Sequence, residues 1–313
     1  MQQPSVAIVI INWNGISDTK ACLNSLKKVS YQNFKIFLVD NGSRYQEAHF
    51  LEKEYNGYIH KLIINEKNLG FTGGNNCAIN YALAEDFDYV LLLNNDTEVK
   101  TGFLEPLVDF AETDKNIGIV GSTIYTYRNK DVIWSAGGKF RWWTSYGLLM
   151  LQGRNNSSLK QKKPYKVDYV SGVCLLIKNE VVESIGLLDE TFFSYQEDID
   201  WCLRAKTRGW DCWQVPSSKI CHKIYRHFQK ITPNQVFFLT RNRLWLARKN
   251  LPHFRYYLVV IIWIFYKIPL KILKNIIYKS ERSFFQAHKQ ALKEGLLFKK
   301  NYLDKNNNLT KKV

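Results

Sequence analysis

The first 125 residues alternate short, almost continuously apolar runs with segments whose apolar residues fall at helical spacing, and few folds accept that rhythm. "SVAIVIINW", "FKIFLVD", "KLIIN", "DYVLLLNND" and "IGIVGSTIY" read as strands. "TKACLNSLKKV" and "NNCAINYALAE", which lie between them, carry the period of helices. A strand that is apolar at nearly every position is buried on both faces, as in a mostly parallel sheet with helices on either side. The expected fold class is therefore α/β, Rossmann-like and doubly wound. In such sheets ligands gather beyond the carboxyl ends of the strands.

Those ends are polar. The first strand closes on Asn12-Trp13-Asn14, the second on Asp40-Asn41-Gly42-Ser43 and the fourth on Asn94-Asn95-Asp96, while the third runs from Asn65 into "KNLGFTGGNN". Any one of these alone is ordinary turn or cap chemistry. Four of them on one rim point to a ligand site. No G-x-G-x-x-G follows the first strand and no G-x-x-x-x-G-K-[ST] occurs, which argues against a dinucleotide dehydrogenase and a P-loop NTPase. An acidic strand end can hold phosphates through a divalent cation instead, because Mg²⁺ and Mn²⁺ take one or two carboxylates together with diphosphate oxygens.

After Tyr125 the texture changes. "WSAGGKFRWWTSYG" reads as irregular strands or a loop, and residues 154–166, polar and basic, as a mobile surface loop. Order resumes in "DYVSGVCLLIKNEVVESIGLLDETFFSYQEDIDWCLRAKTRGW". There Glu197, Asp198 and Asp200 open a helix whose apolar positions include Ile199, Trp201 and Leu203. Carboxylates in a first helical turn are favoured by the macrodipole in any protein. Phe192, Phe193 and Tyr195 just before them would partly dehydrate a carboxylate and raise its pKa, which suits a general base.

With these segments in order, the chain resembles a family 2 inverting glycosyltransferase of the GT-A fold, in its rhamnosyltransferase-like branch. The resemblance rests on "VAIVIINWNG", "VDNGS", "EKNLGFTGGNN", "LLLNNDTEV", the long "SGVCLLI…YQEDIDWCLR" segment and "LTRNRLWLARKN", and spans roughly residues 5–250. It implies that Trp13 and Asp40 frame the nucleotide base, and that Asn68, Gly70 and Asn75 form the loop near the nucleotide and donor sugar. "NND" stands at the D-x-D-like motif, with Asn94 near the ribose where many members carry an Asp, Asn95 beside it, and Asp96 as the metal-binding carboxylate. Asp198 matches the catalytic base, with Glu197 beside it. A further metal or diphosphate ligand is implied downstream, His222 being the nearest histidine and His227 the second, although a histidine after a strand is as often structural. Arg241-Asn242-Arg243, expected at the head of a helix, would either meet phosphate oxygens or form a solvated basic face.

The resemblance further implies Mg²⁺ or Mn²⁺ as cofactor and a nucleotide-diphosphate sugar as donor, dTDP-L-rhamnose or a UDP-sugar. The acceptor would be a glycan or a polyprenyl-diphosphate-linked glycan of surface polysaccharide assembly.

The charge balance, 44 Lys+Arg against 28 Asp+Glu, favours an anionic partner. Residues 1–250 are expected to form the GT-A domain and 251–313 a helical, basic and apolar extension. Within the latter, the uncharged run 256–266 falls short of a bilayer span, and its lysine-flanked aromatic character suits the surface of an anionic membrane, or else packing back on the domain. Six scattered cysteines without a C-x-x-C pair read as reduced thiols, and the N-terminus reads as a strand rather than a signal peptide. The expected location is thus cytoplasmic, peripheral on the inner face of the membrane. Two rival readings stand beside this one. A sugar-1-phosphate nucleotidyltransferase would need a Gly-rich basic loop where the chain has "NWNGISDT". A non-catalytic basic membrane- or nucleic-acid-binding protein fits the charge but not the carboxylates at the strand ends, and nucleic acid is not expected as a partner.

Overall fold

The computed structural model describes residues 3–44, 46–223, 232–270, 273 and 282–296. Contacts divide the chain into two units, one holding residues 1–140 and 147–225, the other 141–146 and 226–313.

The first unit begins with β1 (Val6–Asn12), α1 (Ile16–Leu26), β2 (Phe34–Asn41), α2 (Glu47–Glu54), β3 (Lys61–Asn65), α3 (Gly70–Ala84) and β4 (Tyr89–Leu93). It continues through β5 (Thr97–Val99), α4 (Glu105–Ala111), β6 (Ile117–Thr126), β7 (Ile133–Ser135), β8 (Gly138–Arg141) and β9 (Tyr146–Leu149). It closes with β10 (Tyr165–Lys166), β11 (Cys174–Lys178), α5 (Asn179–Ile185), α6 (Glu197–Thr207) and β12 (Asp211–His222). The main sheet runs β10-β12-β6-β11-β4-β1-β2-β3, with β5 added to β12 and β7 to β6. β3, β2, β1 and β4 are mutually parallel, as are β6 and β12, whereas β11 lies antiparallel between β4 and β6.

The doubly buried strands explain the continuous apolar runs. Val6, Ile8 and Ile10 pack with Cys22, Leu23 and Leu26 of α1, while Ala7 and Val9 on the opposite face are equally buried. Residues 154–166, expected as a loop, contribute β10, which pairs with β12 and so extends the sheet.

Register brings the polar ends together. Asn12 lies opposite Asp40, and Asn41 opposite Asn65. β12 pairs with β6 to its last residue and there also takes β5 on its other side, setting His222 opposite Thr97, the residue after Asp96.

The second unit is helical among its described residues: α7 (Pro233–Asn250), α8 (His253–Ile262), which runs on through a wider turn at Trp263–Lys267, and α9 (Arg282–Leu296). Thr232 and Gln235 form a reciprocal capping box at the start of α7, with Pro233 in the first turn where its missing N–H costs nothing. Leu244, Ala247, Tyr256, Val259, Trp263 and Ile268 make this unit's own core. Leu244 and Ala247 of α7 are buried in it with Tyr256 and Val259 of α8. Arg241-Asn242-Arg243 sits in the middle of α7, not at its head, and is not a solvated face: Arg241 and Asn242 are buried. The Arg241 guanidinium stacks 4.0 Å from the Trp245 ring, and Arg243 lies 4.3 Å from that of Tyr146.

Candidate active site

The rim at the ends of β1 to β4 is a connected polar network. The Asn12 amide nitrogen donates to Asp40 Oδ2 (3.0 Å), Ser43 Oγ (3.1 Å) and Glu47 Oε2 (2.8 Å). Asp40 Oδ1 accepts from the Ser43 N–H at 2.9 Å, so this nearly buried carboxylate is anchored through both oxygens. Trp13 beside it is 53% exposed, an indole face open to a flat ligand. Next along the rim, the Asn41 amide nitrogen donates to Asn68 Oδ1 (3.1 Å) and to the Gly70 carbonyl (3.0 Å), and Asn68 Oδ1 also accepts from the Gly70 N–H (2.7 Å). Asn75 is buried and spends its amide on the Phe71 carbonyl within α3. Asn95 donates to Thr19 Oγ1 at 2.9 Å.

Asp198 opens α6. Its Oδ2 accepts from the Gly172 N–H (3.1 Å) and its Oδ1 from the Ile199 N–H (2.8 Å). The next residue, Val173, accepts through its carbonyl from the Asn94 N–H (3.0 Å), so the base segment is tied to the end of β4. It is tied to the α3 loop as well, through the Thr72 N–H to the Phe193 carbonyl (3.2 Å). Burial raises the Asp198 pKa above the ordinary aspartate value, and the two backbone N–H groups hold it back only in part. Burial first, and then the Asp198 charge, push Glu197 well above the usual carboxylate range. Among the described residues Glu197 Oε2 and Gln196 Oε1 are buried without a hydrogen-bond partner. Phe193, Tyr195 and Gln196 all have left-handed backbone (φ 62°, 72° and 76°), a conformation costly for non-glycine residues and common at functional sites. Asp200 is different: it is fully buried and pairs with Arg204 at 2.9 Å, which makes it structural.

Asp96 and His222, 126 residues apart in sequence, meet with His222 Nε2 3.0 Å from Oδ1 and 3.1 Å from Oδ2. Asp96 Oδ1 and His222 Nδ1 are buried and make no hydrogen bond among the described residues. Trp134 packs its ring edge-on against the imidazole at 4.9 Å. A carboxylate faced by an imidazole Nε2 at 3.0 Å is a donor pair that fits a divalent cation. No cluster of three or more such ligands occurs among the described residues, so the pair fits a cation whose remaining positions belong to water or a bound diphosphate. His227 lies outside the described residues.

The structure therefore gathers Trp13, Asp40, Asn68, Gly70, Asn94, Asn95, Asp96, Glu197, Asp198 and His222 into one unit, with the Asn75 side chain turned to a structural bond. It adds residues that motif reading passed over. Gly172 holds the Asp198 carboxylate, and Asn12 and Glu47 organise the Asp40 end. Lys223 follows His222 and sets its ammonium 3.0 Å from Glu98 and 3.6 Å from Asp18. A cavity of about 550 Å³ bordered by Tyr31, Lys35 and Tyr58 opens at the start of β2, the end of the sheet remote from this rim.

The family model of glycosyl transferase family 2 matches residues 7–186, more than half of the chain. The chain belongs to glycosyl transferase family 2. It is 29% identical over 202 residues to the low-salt glycan biosynthesis hexosyltransferase Agl10 of Haloferax volcanii, covering 64% of this chain and 61% of that protein. It is 23% identical over 257 residues to the dTDP-rhamnosyl transferase RfbF of Shigella flexneri, covering 79% of this chain and 81% of the relative. Among solved structures, GalNAc-T7 with UDP, GalNAc and Mn²⁺ superposes with a TM-score of 0.62 at 19% identity, covering 77% of this chain and 47% of that one. The fold is thus that of the GT-A glycosyltransferases, a mixed α/β sheet, followed by a helical C-terminal region.

Proposed function

We propose that the chain is an inverting glycosyltransferase. It moves a sugar from a nucleotide-diphosphate donor, dTDP-L-rhamnose or a UDP-sugar, to a hydroxyl of a glycan or a polyprenyl-diphosphate-linked acceptor in surface polysaccharide assembly. Family membership and the names of the relatives support the reaction class. The observation that supports the reading best is the path Asp198–Gly172–Val173–Asn94, which ties a part-buried carboxylate to the end of β4, two residues before the Asp96 that pairs with His222.

Trp13 offers a stacking face for the nucleotide base, and the Asn68–Gly70 loop borders the donor sugar. Asp96 and His222 would hold Mg²⁺ or Mn²⁺, which when bound supplies positive charge to the diphosphate leaving group. The Gly172 and Ile199 N–H groups fix the Asp198 carboxylate in orientation. Its raised pKa strengthens it as a base. Asp198 takes the proton of the acceptor hydroxyl as that oxygen bonds to the anomeric carbon and the bond to the nucleotide diphosphate breaks. A single displacement inverts the anomeric centre.

The test is turnover of dTDP-L-rhamnose and UDP-sugars with a lipid-diphosphate glycan acceptor, reading the product anomer by NMR. An inverted product and a loss of about 10²–10⁴-fold in Asp198→Asn, with donor binding kept, is the expected result. A retained configuration, or an active Asp198→Asn enzyme, would sink the mechanism.

A further inference from the structure

The positive charge is not spread over the molecule. Residues 226–313 hold 19 Lys+Arg and 3 Asp+Glu, whereas residues 1–225 hold 25 of each. The entire net charge of +16 therefore belongs to the C-terminal stretch, which the contacts also separate as a unit. Within that unit α8 is apolar on two faces. Tyr256, Val259 and Trp263 are buried in the helical core. Phe254, Tyr257, Ile261 and Phe265, spaced three and four residues apart, form a stripe along the helix, and each is more than half exposed.

We infer that this stripe docks into the surface of an anionic lipid bilayer, with α8 lying in the plane of the headgroups and the net positive charge of residues 226–313 drawing the unit to that surface. An exposed run of Phe, Tyr and Ile suits the boundary between headgroups and acyl chains, where rings with a polar tip are favoured. The concentrated charge adds attraction to an anionic leaflet. The same charge without the apolar stripe would suit a nucleic acid; the stripe favours lipid. The segment His253–Leu270 has the length and composition of a membrane-crossing helix, with 18 residues. At about 1.5 Å per residue it measures roughly 27 Å, just short of a hydrocarbon core. Crossing would also pull Tyr256, Val259 and Trp263 out of their core, whereas lying flat keeps them packed.

This inference does not depend on the transfer reaction, and its test needs no donor. The full chain is sedimented with vesicles of phosphatidylcholine alone and of equimolar phosphatidylcholine and phosphatidylglycerol, at low and high salt. Binding to the anionic vesicles should be at least about tenfold tighter and should weaken as salt screens the charge. A Tyr257→Ser/Ile261→Ser/Phe265→Ser variant should lose about tenfold or more, while Phe265→Trp keeps binding and reports that the helix is intact. Alkaline carbonate should release the bound protein. Equal binding to both vesicles, no binding to either, full binding by the triple variant, or resistance to carbonate would each overturn the inference. So would a triple variant that changes the oligomeric state of the free protein and leaves vesicle binding untouched, since the stripe would then cover a second copy.

Discussion

Replacing Gly70 by alanine tests the link between the donor loop and the base segment. Gly70 has φ +75°, and a Cβ built there would lie 2.6 Å from Phe193 Cδ2 and closer still to the Phe193 carbonyl oxygen. The left-handed backbone alone costs an alanine about 1–2 kcal/mol. Forcing a methyl against a packed backbone adds about 1–3 kcal/mol. Gly57 supplies the control, because it has φ +73° and nothing within 4 Å of where an added methyl would sit. Gly57→Ala should therefore lose only the backbone part, and the difference between the two variants, measured by urea unfolding, isolates the contact with Phe193 at about 1–3 kcal/mol. Turnover should separate them further. Relief of the clash moves Phe193, five residues before Asp198, so Gly70→Ala should lose activity while Gly57→Ala keeps it. Equal losses of stability, or full activity in Gly70→Ala, would refute the coupling.

Other outcomes follow from single side chains. Burial and the Asp198 charge raise the Glu197 pKa, so the folded chain binds this proton more tightly than the unfolded one and loses stability as pH rises through the raised value. Glu197→Gln should accordingly unfold at higher urea than the native chain at neutral pH, with the gain vanishing below the ordinary glutamate pKa. Because Asp198 ionises while Glu197 still holds its proton, the same change should leave the acid limb of kcat/KM, set by ionisation of Asp198, near its native position. His222→Asn should weaken Mn²⁺-dependent donor binding by roughly tenfold or more, read by calorimetry, since even outer-shell partners of a metal cost that much. Lys223→Met leaves Glu98 and Asp18 without the cation between them and should cost about 1–3 kcal/mol of stability, less than a fully buried pair because Glu98 is part-exposed.

Much of the first unit was legible because its strands are buried on both faces. Val6 to Ile10 and Tyr89 to Leu93 have no polar position to confuse with a turn, and register alone then carries Asn12 to Asp40. The Asp198 helix was legible from the acidic turn and its apolar spacing. His222 was harder. Nothing local marks it as a partner of Asp96; the pairing depends on the end of β12 taking, beside β6, a three-residue β5 too short to carry a pattern. Gly172 was invisible for a related reason, since its N–H rather than a side chain does the holding. The left-handed run at Phe193, Tyr195 and Gln196 uses none of the residues that favour such backbone. Arg241 was expected at a helix head, at a phosphate or on a solvated face, because nothing local shows that the Trp245 ring lies under its guanidinium.

On the proposed function, Asp96 and His222 bind the donor together with a cation at the rim where Asp198 acts. The direct measurement is calorimetric titration of dTDP-L-rhamnose and a panel of UDP-sugars, with and without Mn²⁺ or Mg²⁺, into the native chain, Asp96→Asn and Asp198→Asn. Binding of one donor class should need the cation, be lost in Asp96→Asn and survive in Asp198→Asn. Donor binding indifferent to both the cation and Asp96, or no nucleotide sugar bound at all, would contradict it.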